Sequence, residues 1–105
     1  MPFANKASMS TTFSNNLFPK DPVLQVTILS PEKTIYTGTA IALSSVNEIG
    51  PFDVLPFHAN LITIIKDYIL VHEKGNKEQK IACEKGIMKV FENTVSVFLG
   101  VETFG

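Results

Sequence analysis

From residue 23 onward the chain alternates apolar and polar residues at the period of a β-strand. Val23 to Leu29 places Leu24, Val26 and Ile28 on one face and Gln25 and Thr27 on the other. Ser30-Pro31-Glu32-Lys33 follows as a turn. Thr34 to Thr37 predicts a short second strand ended by Gly38. Thr39 to Val46 predicts a third, with Ile41 and Leu43 on one face and Ala40 and Ala42 on the other. Asn47 to Pro51 reads as a loop broken by Gly50-Pro51. Phe52 to Leu55 is a short apolar piece cut off by Pro56, and both Val54 and Leu55 are expected in the core.

The second half continues the pattern. Leu61 to Ile65 is a continuous apolar strand, and Lys66-Asp67 is a turn signal. Tyr68 to Lys74 alternates with Ile69 and Val71 in phase, and Gly75-Asn76 marks a hairpin. Glu78 to Glu84 pairs back with Ile81 and Cys83 in phase. Lys85-Gly86 reads as another turn before Ile87 to Phe91. Glu92-Asn93 turns the chain into Thr94 to Val101, where Val95, Val97, Leu99 and Val101 share a face. Eight or nine short strands at close spacing predict an all-β fold, an antiparallel β-sandwich or barrel. No segment carries a helical apolar stripe of useful length.

The first 22 residues differ in texture. They are rich in Ser, Thr and Asn, and have neither the apolar core of a secretory signal nor the Arg of a mitochondrial presequence. They read as a polar, flexible leader in which Phe3, Phe13, Leu17 and Phe18 are the residues able to dock. Residues 23–105 read as one sandwich domain.

Charge and chemistry narrow the function. Nine basic residues stand against ten acidic ones, and every base is Lys. Nucleic-acid binders present a basic face and use Arg for bidentate contacts, so that class is disfavoured. No apolar run approaches the ~20 residues of a membrane helix, which leaves contact with a membrane to a partner. One cysteine, Cys83, excludes an internal disulfide and fits a reducing compartment. The histidines are His58 and His72. Neither has the Cys, Asp or Glu spacing of a metal site, and Cys83 lies in phase with core residues, where a thiol is inert. The six glycines are isolated and open no helix, so no phosphate loop is visible. The residues read as a binding or structural domain without catalysis, metal or cofactor.

Val46 to Thr63 carries the most specific pattern. Gly50, Phe52, Val54, Leu55, Pro56, His58, Ala59 and Leu61 match, residue by residue, the motif of the epsilon subunit of F-type ATP synthases. The resemblance covers the opening strand pair, the Gly75-Asn76 hairpin and the closing strands, about four-fifths of the chain. Asp53, Phe57 and Asn60 depart from it, standing where Gly, Gly and Pro are common. Phe57 is the bulkiest departure.

The resemblance implies a β-sandwich that works as a non-catalytic rotor subunit in the central stalk. It implies contact with the gamma subunit and the c-ring, and a place at the cytoplasmic face of a bacterial plasma membrane, reached only through the complex. It implies partner contacts along Asn47, Glu48, Ile49 and Gly50 and along Pro56, Phe57, His58, Ala59 and Asn60. His58 fits either a buried hydrogen-bonding strut or an interface contact. Most bacterial members continue into two helices that inhibit ATP hydrolysis and in some cases bind ATP. This sequence stops where the sandwich closes, so the expectation for it is neither inhibition nor nucleotide binding. Two other readings stand beside this one. A free-standing ligand- or protein-binding sandwich would need a pocket, and an oligonucleotide-binding barrel would need a basic groove with aromatics.

Overall fold

A computed structural model of the chain describes residues 22–100. The proposed leader therefore lies, apart from Pro22, outside the described residues, as does Val101. Seven strands follow one another: β1 Leu24–Leu29, β2 Thr34–Ala40, β3 Ala42–Val46, β4 Pro51–Val54, β5 Leu61–Glu73, β6 Lys77–Phe91 and β7 Thr94–Leu99. They form one continuous sheet in the order β2-β1-β7-β6-β5-β3-β4.

This sheet becomes a sandwich because its two longest strands bend. β5 pairs β6 from Leu61↔Val90 to Glu73↔Lys77, with a break in register between Ile65 and Asp67. At the break Asp67 adopts φ 73°. Opposite it, Ile65 pairs Gly86 and Asp67 pairs Cys83, so the second strand carries one extra residue there, the mark of a β-bulge. The corner divides each strand between two layers. β2, β1, β7 and the halves Gly86–Phe91 and Leu61–Ile65 make one layer. The halves Lys77–Cys83 and Asp67–Glu73, with β3 and β4, make the other.

The two expected turns at Lys66-Asp67 and Lys85-Gly86 are thus corners inside strands. Their left-handed or glycine positions re-aim the chain while the ladder continues on both sides. A Cβ at Gly86 would stand 3.0 Å from the Phe98 carbonyl oxygen, so this buried corner has room only for hydrogen. The expected antiparallel pairing holds at every ladder except one. β1 pairs β7 in parallel, Gln25↔Thr94 to Leu29↔Phe98.

The core lies between the layers. Leu24, Val26, Ile28, Val95 and Val97 meet Leu43, Val54, Ile69 and Val71, with Ile65, Met88 and Val90 near the corner; all are at most 2% exposed. At roughly 25 cal/mol per Å² of apolar area, each such side chain contributes about 1.5–3 kcal/mol. Two expectations fail here. Gly38 does not end β2, which runs on to Ala40. Ile41 is not a face-mate of Leu43: it occupies the break between β2 and β3, 41% exposed, where its N–H donates to the His72 carbonyl at 2.8 Å.

The open ends of the layers are clasped by Tyr36 on β2, whose hydroxyl donates to Glu73 on β5 at 2.5 Å. Burial, then that hydrogen bond, then the carboxylate charge push Tyr36 up to about 12. Gly38, two residues on, leaves space for the phenol: a Cβ there would lie 3.1 Å from the Tyr36 hydroxyl oxygen.

Candidate partner-binding surface

The loop Asn47–Gly50 joins β3 to β4 and is built around its first residue. The Asn47 side-chain oxygen accepts from the N–H groups of Ile49 (2.9 Å) and Gly50 (3.2 Å), the local capture that makes Asn a turn former. The Asn47 side-chain amide donates to Thr63 Oγ1 at 3.2 Å, which ties the loop to β5. The tip is left outward, with Ile49 92% exposed and Glu48 exposed beside it. Gly50 has φ 143°.

The second segment, Pro56–Asn60, joins β4 to β5. The His58 N–H donates to the Leu55 carbonyl at 3.0 Å, closing a turn with Pro56 at its second position and Phe57 at its third. Phe57 has φ 69°, so this is a type II turn with a bulky residue where glycine is favoured. A left-handed conformation costs a side-chain-bearing residue about 1–2 kcal/mol. The neighbouring hairpin holds it there: the Phe57 N–H donates to the Asn93 side-chain oxygen at 2.6 Å, while the Asn60 side-chain oxygen accepts from the Glu92 N–H at 3.1 Å. Glu92 and Asn93, both at positive φ, form the two-residue turn between β6 and β7. The Phe57 ring remains outside, 74% exposed. Ala59 is exposed, and His58 is half-buried with its Nδ1 donating to the Ala59 carbonyl at 2.6 Å.

Both segments are strung along the first half of β5, one at its start through Asn60 and one at its middle through Thr63. Leu61–Ile65 is apolar at every position but Thr63 because it serves two faces. Ile65 is buried and Leu61 packs on the core, whereas Ile62 and Ile64 point outward, 71% and 51% exposed. Register carries the outward row across the sheet: Ile64 faces Ile87, Ile87 faces Phe98, and Phe98 faces Leu29. Phe98 is 42% exposed, at the phase of its strand where a polar residue is usual. Beside the row, at the bent corner, Ile49, Ile62, Ile64 and Ile87 border an open cleft of about 640 Å³ rimmed by Glu48, Lys66, Glu84 and Lys85.

Leu55 belongs with this surface. The expectation that it is core is overturned: it sits just past the end of β4, 55% exposed, while Val54 points inward at 0%. Alternation along an extended chain places neighbours on opposite sides, so only one of the pair can face the core.

Among the described residues one polar cluster has the order of a reaction site without its hydrogen placement. Ser44, His72 and Glu78 lie in the order of a hydrolytic triad, with Ser44 Oγ 2.9 Å from His72 Nε2 and His72 Nδ1 3.1 Å from Glu78 Oε2. The Ser44 hydroxyl, however, donates its one hydrogen to Asp53 at 2.6 Å, so it has none to give to the imidazole. Cys83 is half-buried against the core; burial, then the charge of Asp67, push its thiol up, away from the reactive thiolate. Among the described residues no three His, Cys, Asp or Glu side chains gather into a metal site. No helix of the described residues is long and apolar enough to cross a membrane. The core side chains of the two layers pack against one another in the space between them.

Comparison with known proteins agrees with this geometry. Residues 23–101 match the family model for the β-sandwich domain of the ATP synthase delta/epsilon chain. The ATP synthase epsilon chain of Leptospira borgpetersenii is 38% identical over 74 residues, 70% of this chain and 58% of that protein. The epsilon chain of Sulfurimonas denitrificans is 32% identical over 77 residues, 72% of this chain and 59% of that one. This chain thus spans less than two-thirds of these relatives. Among solved structures, a chain of the Euglena gracilis mitochondrial ATP synthase (OSCP/F1/c-ring) superposes with a TM-score of 0.71 at 16% identity, covering 88% of this chain and 58% of that one. A chain of the Tetrahymena thermophila mitochondrial ATP synthase central stalk and c-ring gives 0.60 at 13% identity. At those identities the superpositions speak to the fold.

Proposed function

Because this chain belongs to the ATP synthase delta/epsilon family, through its β-sandwich domain, we propose that it is a non-catalytic subunit of the central stalk of a rotary F-type ATP synthase. In that role it links the gamma subunit to the c-ring and takes part in coupling ion translocation to ATP synthesis without making or breaking bonds itself. It reaches the membrane only through the complex, at the cytoplasmic face of a bacterial plasma membrane.

The observation that carries this reading is the outward apolar row Ile64–Ile87–Phe98 together with the two pinned segments beside it. Apolar area of this extent on the outside of a well-filled sandwich marks a surface made to be covered. The two segments suit contacts that must bear load. Each is short, each is fixed to a neighbouring strand or hairpin through asparagine side chains, and each ends in an exposed apolar tip, Ile49 or Phe57. A scaffold that transmits torque needs such stiffness, because a compliant element would store rotation elastically. On this reading the row packs on the gamma subunit, and Asn47–Gly50 and Pro56–Asn60 meet the polar loops of the c-ring.

The test is co-purification of the full chain with the gamma subunit encoded in the same genome, followed by size-exclusion chromatography. A stable one-to-one complex is expected. Separate elution of the two well-folded proteins would overturn the assignment and return the chain to the free-standing binding domains.

A further inference from the structure

The outer face of the first layer carries a second apolar patch, apart from the row Ile64–Ile87–Phe98. Phe91, the last residue of β6, is 50% exposed, and Ile62 on β5 is 71% exposed. Ile62 pairs Lys89, two residues before Phe91, so Ile62 and Phe91 are diagonal neighbours about 7–8 Å apart on one face. Lys89 and Ser96, which pair with each other, stand between Phe91 and the residues Ile87 and Phe98. The proposed stalk contacts use neither Phe91 nor Ile62.

The chain enters the sheet beside this patch. β1 begins at Leu24, and the Gln25 N–H donates to the Asn93 carbonyl at 2.8 Å. Gln25 pairs Thr94 and Thr94 pairs Phe91, so these three exposed residues form one row across β1, β7 and β6. At about 4.8 Å between strands, Phe91 stands roughly 10 Å from Gln25, with Ile62 a further 7–8 Å on. Residues 1–21 lie outside the described residues, and their sequence supplies an occupant. Phe18 precedes Leu24 by six residues, a span that extends to about 20 Å and so reaches both members of the patch. Leu17 is next to it, and Phe13–Phe18 carries no charged side chain to desolvate. Pro19-Lys20-Asp21-Pro22, between this pair and the sheet, has the composition of a turn.

We propose that Leu17 and Phe18 fold back across the start of β1 and β7 and cover Phe91 and Ile62. Area selects this occupant over a second copy or a separate protein. Two side chains offer far less than the roughly 800 Å² per partner that free proteins bury on forming a stable complex. A segment joined to the patch by a short stretch of chain is held at an effective concentration of about millimolar, so a small apolar contact suffices. The docked pair stops short of Ile64, Ile87 and Phe98, and this step does not rest on the stalk assignment.

The experiment is nuclear Overhauser spectroscopy on the full chain, labelled with 13C at the isoleucine methyl groups. Cross-peaks from Leu17 and Phe18 to the Ile62 Cδ1 methyl are expected, and none to Ile69, which is buried in the core. Leu17→Ser with Phe18→Ser is expected to abolish them and to shift the Ile62 methyl resonance, while that of Ile69 stays in place and reports a folded chain. Phe91→Ser, a change on the face itself, is expected to abolish the same cross-peaks. In a mixture of labelled and unlabelled chains, spectra filtered for contacts between copies are expected to lack them. Absence of the cross-peaks from the unmodified chain, their survival in Phe91→Ser, or their appearance between copies would each overturn the docking; the last would give the patch to a second copy. None of these readouts involves the gamma subunit, so a failed co-purification would leave the docking standing.

Discussion

The sandwich has two apolar surfaces made from the same residue types, and they have different fates. The inner one, from Leu24 to Val97, is closed on itself at 2% exposure or less. The outer one, Ile62, Ile64, Ile87 and Phe98, lies one residue out of phase on the same strands and stays open. Hydrophobicity alone therefore does not separate the core from the outer surface in this chain. Phase along the strand does, and Val54 and Leu55 show it at its sharpest, as adjacent apolar residues at 0% and 55% exposure.

The sharpest break of that comparison is a charge at each of these two positions. Val54→Asp places a carboxylate in the core and is expected to cost several kcal/mol, enough to unfold a domain of ordinary stability. Leu55→Asp is expected to remain folded, with a change within about 1 kcal/mol. Urea unfolding followed by circular dichroism measures both, and a folded Val54→Asp variant would refute the inward assignment. Gly86→Ala comes next, at about 1–3 kcal/mol by the same measurement, because the new methyl meets backbone at 3.0 Å.

On the outer surface the order of effects reverses between stability and binding. Ile64→Ser with Phe98→Ser is expected to alter stability by about 1 kcal/mol or less, yet to weaken gamma-subunit binding at least about tenfold in a titration. Phe57→Gly is expected to raise stability by about 1 kcal/mol, since it relieves a left-handed conformation, while removing the exposed ring from the tip of its turn.

The smallest effect is at the open end of the layers. Tyr36 is raised from 10.0 to about 12, so the folded form favours the neutral phenol. The clasp to Glu73 is therefore complete below pH 10 and is lost as pH climbs towards 12. An alkaline absorbance titration is expected to show a tyrosine that ionises near pH 12 and is missing in Tyr36→Phe.

Much of this was legible in the residues. The faces Leu24/Val26/Ile28 and Val95/Val97 follow directly from period-two alternation, and both turn-rich hairpins were marked by Asn or Gly at positive φ. The turn signals between Val46 and Leu61 marked both segments as breaks between strands. What stayed hidden depends on what happens across the ladder. Asp67 and Gly86 announce unusual backbone, yet whether such a residue turns the chain or bends a strand is decided by whether the partner strand continues alongside it. The outward row was hidden because Leu61–Ile65 is apolar on both faces, which erases the alternation that would assign them. Phe98, apolar at a polar phase, was the one local signal of it.

The parallel pairing of β1 with β7 also constrains the order of events in time. Leu24 to Leu29 is among the first segments of the domain to be made, yet one of its two ladders waits for Thr94 to Leu99. The hairpin of β1 with β2 can form early, but until the last strand arrives nothing joins it through the sheet to β6 and so holds its apolar face over the other layer. Loop closure over some seventy residues must precede that reward, which makes this step the slow one in folding. A ribosome-bound chain halted before β7 would display Leu24, Val26 and Ile28 to whatever chaperone is near.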